Sequence, residues 1–135
     1  MFLLDTDIMS ALRKKKRVRL LDDWLQSTRP SDMFVSVITI GEIERGVSAK
    51  RRTDPDFGTA LADWLDSILI DFDERIVPFD LNCARRWGRL GATIGNMTSD
   101  LQIAATALEH GLTVVTRNVA HFRPTGVATV DPFKD

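Results

Sequence analysis

Apolar positions in this chain follow two alternating rhythms, short continuous runs and longer stretches with apolar residues three or four apart. Phe2, Leu3 and Leu4 form a run that stops at Asp5, the pattern of a strand ending on an acid. Asp7 can then cap a short helix carrying Ile8, Ala11 and Leu12 on one face. Leu21, Trp24, Leu25 and Thr28 continue at helical spacing until Arg29-Pro30-Ser31-Asp32 breaks the pattern. A second β-rich run, Phe34 to Ile38, leads into Thr39-Ile40-Gly41-Glu42, with Ile43 and Val47 at helical spacing. Phe57, Leu61, Trp64, Leu65, Ile68 and Leu69 make the clearest amphipathic helix, started by the turn at Asp54-Pro55. Ile76 and Val77 before Pro78 suggest a short strand, and Asp80 opens a helix with Ala84, Trp87 and Leu90 inward.

After a loop at Gly95 to Thr98 comes the most informative stretch, Ser99 to Asn118. Ser99 with Gln102 makes a Ser-x-x-Gln capping box, followed by Leu101, Ala104, Ala105 and Leu108 on one helical face. Gly111 stops the helix, and Leu112 to Thr116 is β-branched and free of charge, as expected of a strand covered on both faces. Val127 to Val130 reads as one more strand. Regular alternation of strand and helix predicts an α/β fold, a three-layer α/β/α domain around a parallel sheet of four or five strands. A length of 135 residues suits a single domain spanning 1–135.

Composition narrows the function less than the pattern does. Lys and Arg total 18 against 19 Asp and Glu, so no global charge draws the chain to nucleic acid or membrane. Attraction must be local, and two clusters offer it, RKKKR at Arg13 to Arg17 and KRR at Lys50 to Arg52. The lone Cys83 allows no intramolecular disulfide and reads as a core residue in a reducing cytoplasm. No signal-peptide core or membrane-spanning run is visible, so a cytoplasmic location without membrane association is expected.

Four polar side chains fall where strands switch to helices: Asp5, Glu42, Asp100 and Asn118. In an open α/β sheet such places face one crevice outside the carboxyl ends of the strands. Two carboxylates ~4 Å apart repel by about 4 kcal/mol at an effective dielectric near 20, a cost that a divalent cation removes. Oxygen donors without histidine or paired cysteines point to Mg²⁺ or Mn²⁺ and away from zinc, and so to metal-assisted phosphodiester hydrolysis. Each residue also has a structural alternative. Glu42 completes a Thr39-x-x-Glu42 capping box, Asp100 suits a helix N-terminus, and Asn118 suits a turn. Asp5, directly ending an apolar strand, has no obvious structural purpose. His110 and His121 read as isolated helix-end or surface residues, and Trp24, Trp64 and Trp87 as core.

With these residues in place, the chain resembles the PIN-domain ribonucleases, and within them the VapC toxins of type II toxin-antitoxin systems, including the FitB-like branch. The resemblance is carried by LLDTD at Leu3 to Asp7, SVITIGEIERGV at Ser36 to Val47, RIVPFD at Arg75 to Asp80, RRWGRL at Arg85 to Leu90 and DLQIAATALEHGLTVVTRN at Asp100 to Asn118. It implies a metal-dependent endoribonuclease in which Asp5 and Asp100 bind Mg²⁺, Glu42 is the third acid and Asn118 takes the fourth place. Thr6, Asp7, Thr116 and Arg117 are weaker substrate-binding candidates beside them. Also implied are an RNA substrate, a homodimer, a VapB-type antitoxin that assembles with it, and operator DNA reached only through the antitoxin. Position 7 is Asp where the family usually has Asn, and the loop between Leu90 and Asp100 is shorter than usual. Two alternatives stay open: a haloacid-dehalogenase-like phosphatase using Asp5 and Asp7, and a catalytically silent PIN-like binding module.

Overall fold

The computed structural model describes residues 1–14 and 16–134; Lys15, inside the RKKKR cluster, and Asp135 lie outside the described residues. Its centre is a five-stranded sheet of order β3-β2-β1-β4-β5, in which every neighbouring pair is parallel. The strands are β1 (Phe2–Leu4), β2 (Met33–Ser36), β3 (Ile76–Val77), β4 (Thr113–Val115) and β5 (Thr129–Val130). The apolar opening run is therefore the middle strand, with Phe2 opposite Met33 on one side and Thr113 on the other. Leu3 and Leu4 are both fully buried. Because successive strand residues point to opposite faces, they enter two separate cores. Leu4 joins Ile8, Val35, Ile43, Val47, Leu65 and Val115 on one face, and Leu3 joins Val77, Ile103, Ala104, Val114 and Phe122 on the other.

Among the described residues, seven helices cover these faces: α1 (Thr6–Arg13), α2 (Arg19–Ser27), α3 (Val37–Thr53), α4 (Pro55–Phe72), α5 (Leu81–Ile94), α6 (Ser99–His110) and α7 (Val119–Phe122). The starts of α1, α3 and α6 differ from the sequence reading by one or two residues, for a common reason. A strand lasts only as long as it has a partner, and the next polar side chain then caps the helix. Asp5, not Asp7, caps α1, accepting from Thr6 N at 2.8 Å, while Asp7 lies in the first turn. The second strand ends at Ser36 instead of continuing to Ile38, because Ser36 Oγ accepts from Ile38 N at 3.0 Å and starts α3 there. Thr98, not Ser99, caps α6, its hydroxyl accepting from Leu101 N at 3.4 Å, so the Ser99–Gln102 box does not form. Asp54 caps α4 and Asp80 caps α5, as their positions before the apolar stripes suggested.

The inward face of α6 is also wider than one stripe. Leu101 and every residue from Ile103 to Ala107 are buried, with four small residues, Ala104, Ala105, Thr106 and Ala107, letting the sheet and α5 approach closely. Arg86 Nε of α5 meets Glu109 Oε1 of α6 at 2.6 Å, which sets the start of one helix beside the end of the other. At Gly58, a Cβ would lie 2.7 Å from Arg51 N, so a glycine is needed where α4 crosses the end of α3. Two clusters far apart in sequence converge there as well, with Arg13 and Lys50 both over the ring of Phe57 at 5.1 and 5.6 Å.

Candidate active site

The first turns of α1, α3 and α6 and the end of β4 meet at the carboxyl edge of the sheet. Asp5 follows β1 directly, held there by Asp5 N donating to Val115 O at 2.9 Å. One carboxylate oxygen accepts from Thr6 N and the other from Thr116 Oγ1 at 2.8 Å. Thr116 is fully buried and its hydroxyl also accepts from Asn118 N at 3.0 Å, so one threonine fixes the Asp5 carboxylate and the turn that presents Asn118. Thr6 Oγ1 donates to Glu42 Oε1 at 2.7 Å and lies 3.1 Å from the hydroxyl of Thr39. Ser99 Oγ donates to the second Glu42 oxygen at 3.4 Å. Glu42 is thereby connected to the residue after Asp5 and to the residue before Asp100.

These contacts revise the structural alternatives. Thr39 is buried within α3 and Glu42 lies in its second turn, so the Thr39–Glu42 capping box does not exist and the Glu42 carboxylate is turned toward α1 and α6. Asp5, by contrast, does have a structural purpose, as the cap of α1. Capping does not call for burial, however, and Asp5 is only 4% exposed. Desolvation, reinforced by the charge of Asp7, pushes its carboxyl up from 3.8 to about 7, while the hydrogen bonds from Thr116 and Thr6 act the other way. The charge of Asp100 adds to the upward shift, which places it within electrostatic reach of Asp5.

Asp100 has a partner that the sequence reading missed. His121, on α7, sets Nδ1 3.2 Å from Asp100 Oδ2. Asp100 and His121 line a cavity of about 360 Å³ together with Ile94, Asn96, Thr98 and Pro124. The spacing Asn118-x-x-His121 on a helix that follows the strand switch was the available signal. Asn118 is exposed and makes no side-chain capping bond. Of the weaker candidates, Thr6 and Thr116 hold the carboxylates just described. Asp7 Oδ2 accepts from Arg117 N at 3.0 Å, and the Arg117 guanidinium lies 4.5 Å from the Phe133 ring centroid. A second cleft, lined by Lys14, Lys16, Arg17 and Arg117, adjoins this arginine.

The donor set fits a hard divalent cation. Asp5, Glu42 and Asp100 offer carboxylate oxygens, and beside them Asp7 Oδ1 is buried without a hydrogen-bond partner among the described residues. Oxygen donors of this kind suit an ion that also keeps part of its water shell, as Mg²⁺ does.

A family model for the PIN domain matches residues 2–125. The chain belongs to the PIN-domain family. Toxin FitB of Neisseria gonorrhoeae is 35% identical over 146 residues, covering 100% of both chains. A VapC ribonuclease of Sinorhizobium fredii is 32% identical over 145 residues, covering 99% of each. The crystal structure of FitAcB from Neisseria gonorrhoeae superposes with a TM-score of 0.87 at 33% identity, again over 100% of both chains. The five-stranded parallel sheet is the PIN fold, and the haloacid-dehalogenase alternative is left without support.

Proposed function

We propose that this PIN domain is a Mg²⁺-dependent endoribonuclease, the VapC-type toxin of a type II toxin-antitoxin system. One observation carries the reading: the Asp5 carboxyl is buried and pushed up to about 7, in part by the charge of Asp100, while Thr6 and Ser99 hold Glu42 beside it. A cap alone works at the surface, and burying the Asp5 carboxyl with the charges of Asp7 and Asp100 acting on it is unfavourable unless something cationic uses it. The names of the VapC ribonuclease and FitB relatives agree with this assignment.

In this reading Asp5, Glu42 and Asp100 hold the ion, with Mn²⁺ an alternative to Mg²⁺. When bound, the ion supplies positive charge that lowers the pKa of a water and offsets charge on a phosphate. The chain's own residues do the positioning. Thr116 holds one Asp5 oxygen, so the other faces the crevice only as far as the Thr6 amide permits. Thr6 and Ser99 orient Glu42. Asn118, which is exposed, would donate to a phosphate oxygen, and Lys14, Lys16, Arg17 and Arg117, which line one cleft, would hold neighbouring phosphates. The whole activity belongs to one domain covering 1–135. Its partners are RNA, a second copy of the chain and a VapB-type antitoxin, with operator DNA reached through the antitoxin. Exposed Ile70, Leu81 and Met97 offer apolar surface for protein contacts. No helix among the described residues is long and apolar enough to cross a membrane, and a cytoplasmic location goes with this role.

End-labelled RNA incubated with Mg²⁺ and the antitoxin-free protein tests the proposal. Internal cleavage by the wild type, lost with a chelator and lost in Asp100→Asn, is the expected result. Equal cleavage by the wild type and Asp100→Asn overturns it, and no cleavage by either leaves the silent binding module as the better description.

A further inference from the structure

Another cluster of metal-ligating side chains among the described residues lies at the other end of the α5–α6 pair. Asp80, Cys83 and His110 each present a ligand atom within 4.8 Å of the other two. Asp80 caps α5, its Oδ1 accepting from Cys83 N at 2.9 Å. Cys83, one turn into the helix, is fully buried, and its thiol reaches the Pro78 carbonyl only at 4.0 Å. His110 is the last residue of α6 and is exposed, with no side-chain hydrogen bond among the described residues. A buried thiol is ordinarily surrounded by apolar groups. Here an imidazole and a carboxylate stand beside it.

The placement is also rigid. The two helices are joined by the 2.6 Å ion pair between Arg86, three residues after Cys83, and Glu109, next to His110, and Trp87 packs edge-on against Phe79 at 5.9 Å. Ligands borne on two packed helices are held in fixed geometry, as a metal site requires. One sulfur, one nitrogen and one oxygen donor is a set suited to zinc and unsuited to Mg²⁺. With a thiolate and a carboxylate, a divalent ion would leave no net charge beside the buried sulfur. The exposure of Asp80 and His110 leaves the fourth position to water.

We propose that Asp80, Cys83 and His110 form a binding site for zinc or a similar transition-metal ion, which pins the first turn of α5 to the last turn of α6. On binding, the Cys83 thiol gives its proton to solvent and the thiolate bonds the ion; no oxidant or reductant takes part. The site is separate from the acidic crevice, since Asp100 and His110 stand at opposite ends of α6, about 15 Å apart along its axis at the helical rise. The proposal does not rest on the nuclease reading.

Cobalt(II) titration of the full chain, reduced and in excess Mg²⁺ to fill oxygen-only sites, is the test. One Co²⁺ should bind per chain with a thiolate-to-cobalt charge-transfer band, and Zn²⁺ should displace it. Cys83→Ala should abolish the band. His110→Ala, a surface change that leaves the core intact, should weaken binding about tenfold or more. Asp100→Asn should leave the spectrum unchanged. Absence of the band in the wild type, or a spectrum insensitive to His110→Ala, overturns the proposal, as does cobalt binding that Asp100→Asn removes. RNA cleavage plays no part in any of these readouts, so the two proposals fail independently.

Discussion

Asp5→Asn isolates the cost of the buried carboxylate. The side chain keeps its shape, its carbonyl oxygen can still accept from Thr6 N, and its amide can donate to Thr116 Oγ1, which as a hydroxyl has lone pairs for both this donor and Asn118 N. What disappears is the charge. In the folded chain the Asp5 carboxyl is raised from 3.8 to about 7, a gap worth about 4 kcal/mol at about 1.4 kcal/mol per unit. A raised folded-state pKa means that the native state holds the proton more tightly than the unfolded chain. The resulting stabilisation is complete below about pH 4, declines as pH rises toward 7, and is gone above it. Between about pH 5 and pH 8 the metal-free wild type should therefore lose about 3 kcal/mol that Asp5→Asn does not lose. Urea unfolding in a chelator at several pH values, for both proteins, measures the difference directly. Adding Mg²⁺ near pH 8 should then stabilise the wild type more than Asp5→Asn, because the variant lacks one of the three carboxylates that hold the ion. Parallel pH profiles for the two proteins would refute the reasoning, since they would mean that Asp5 ionises in the native state as freely as in the unfolded one.

Thr116→Val removes the hydroxyl that binds Asp5 and the Asn118 amide; it should cost about 1–3 kcal/mol in chemical denaturation and move the Mg²⁺ activation midpoint of RNA cleavage to higher concentration. Gly58→Ala puts a Cβ 2.7 Å from Arg51 N and should destabilise the chain by about 1–3 kcal/mol with the acidic crevice unaffected, which thermal unfolding and Mg²⁺ titration together would check. If Lys14, Lys16 and Arg17 hold the RNA backbone, cleavage should weaken steeply with added salt, and neutralising all three should flatten that dependence; an unchanged salt slope would exclude them from the RNA path.

Much of this protein was legible in the sequence. The strand-then-helix rhythm, the all-apolar opening strand of Phe2 to Leu4, and the acids at the switch points all follow from local patterning, because burial on two faces and helical periodicity leave their mark residue by residue. The helix starts were less legible. Whether Asp5 or Asp7 caps α1, and whether Thr98 or Ser99 caps α6, depends on where strand pairing and loop closure end, which neighbours distant in sequence decide. Tertiary structure alone turned Glu42 from a helix cap into a side chain held by Thr6 and Ser99, paired His121 with Asp100, and joined Arg13 to Lys50 over Phe57. It also brought His110 to Asp80 and Cys83 across a gap of nearly thirty residues. A side chain's identity is written locally, but its pKa and its partners are set by the dielectric and the charges around it, and those exist only once the chain has folded.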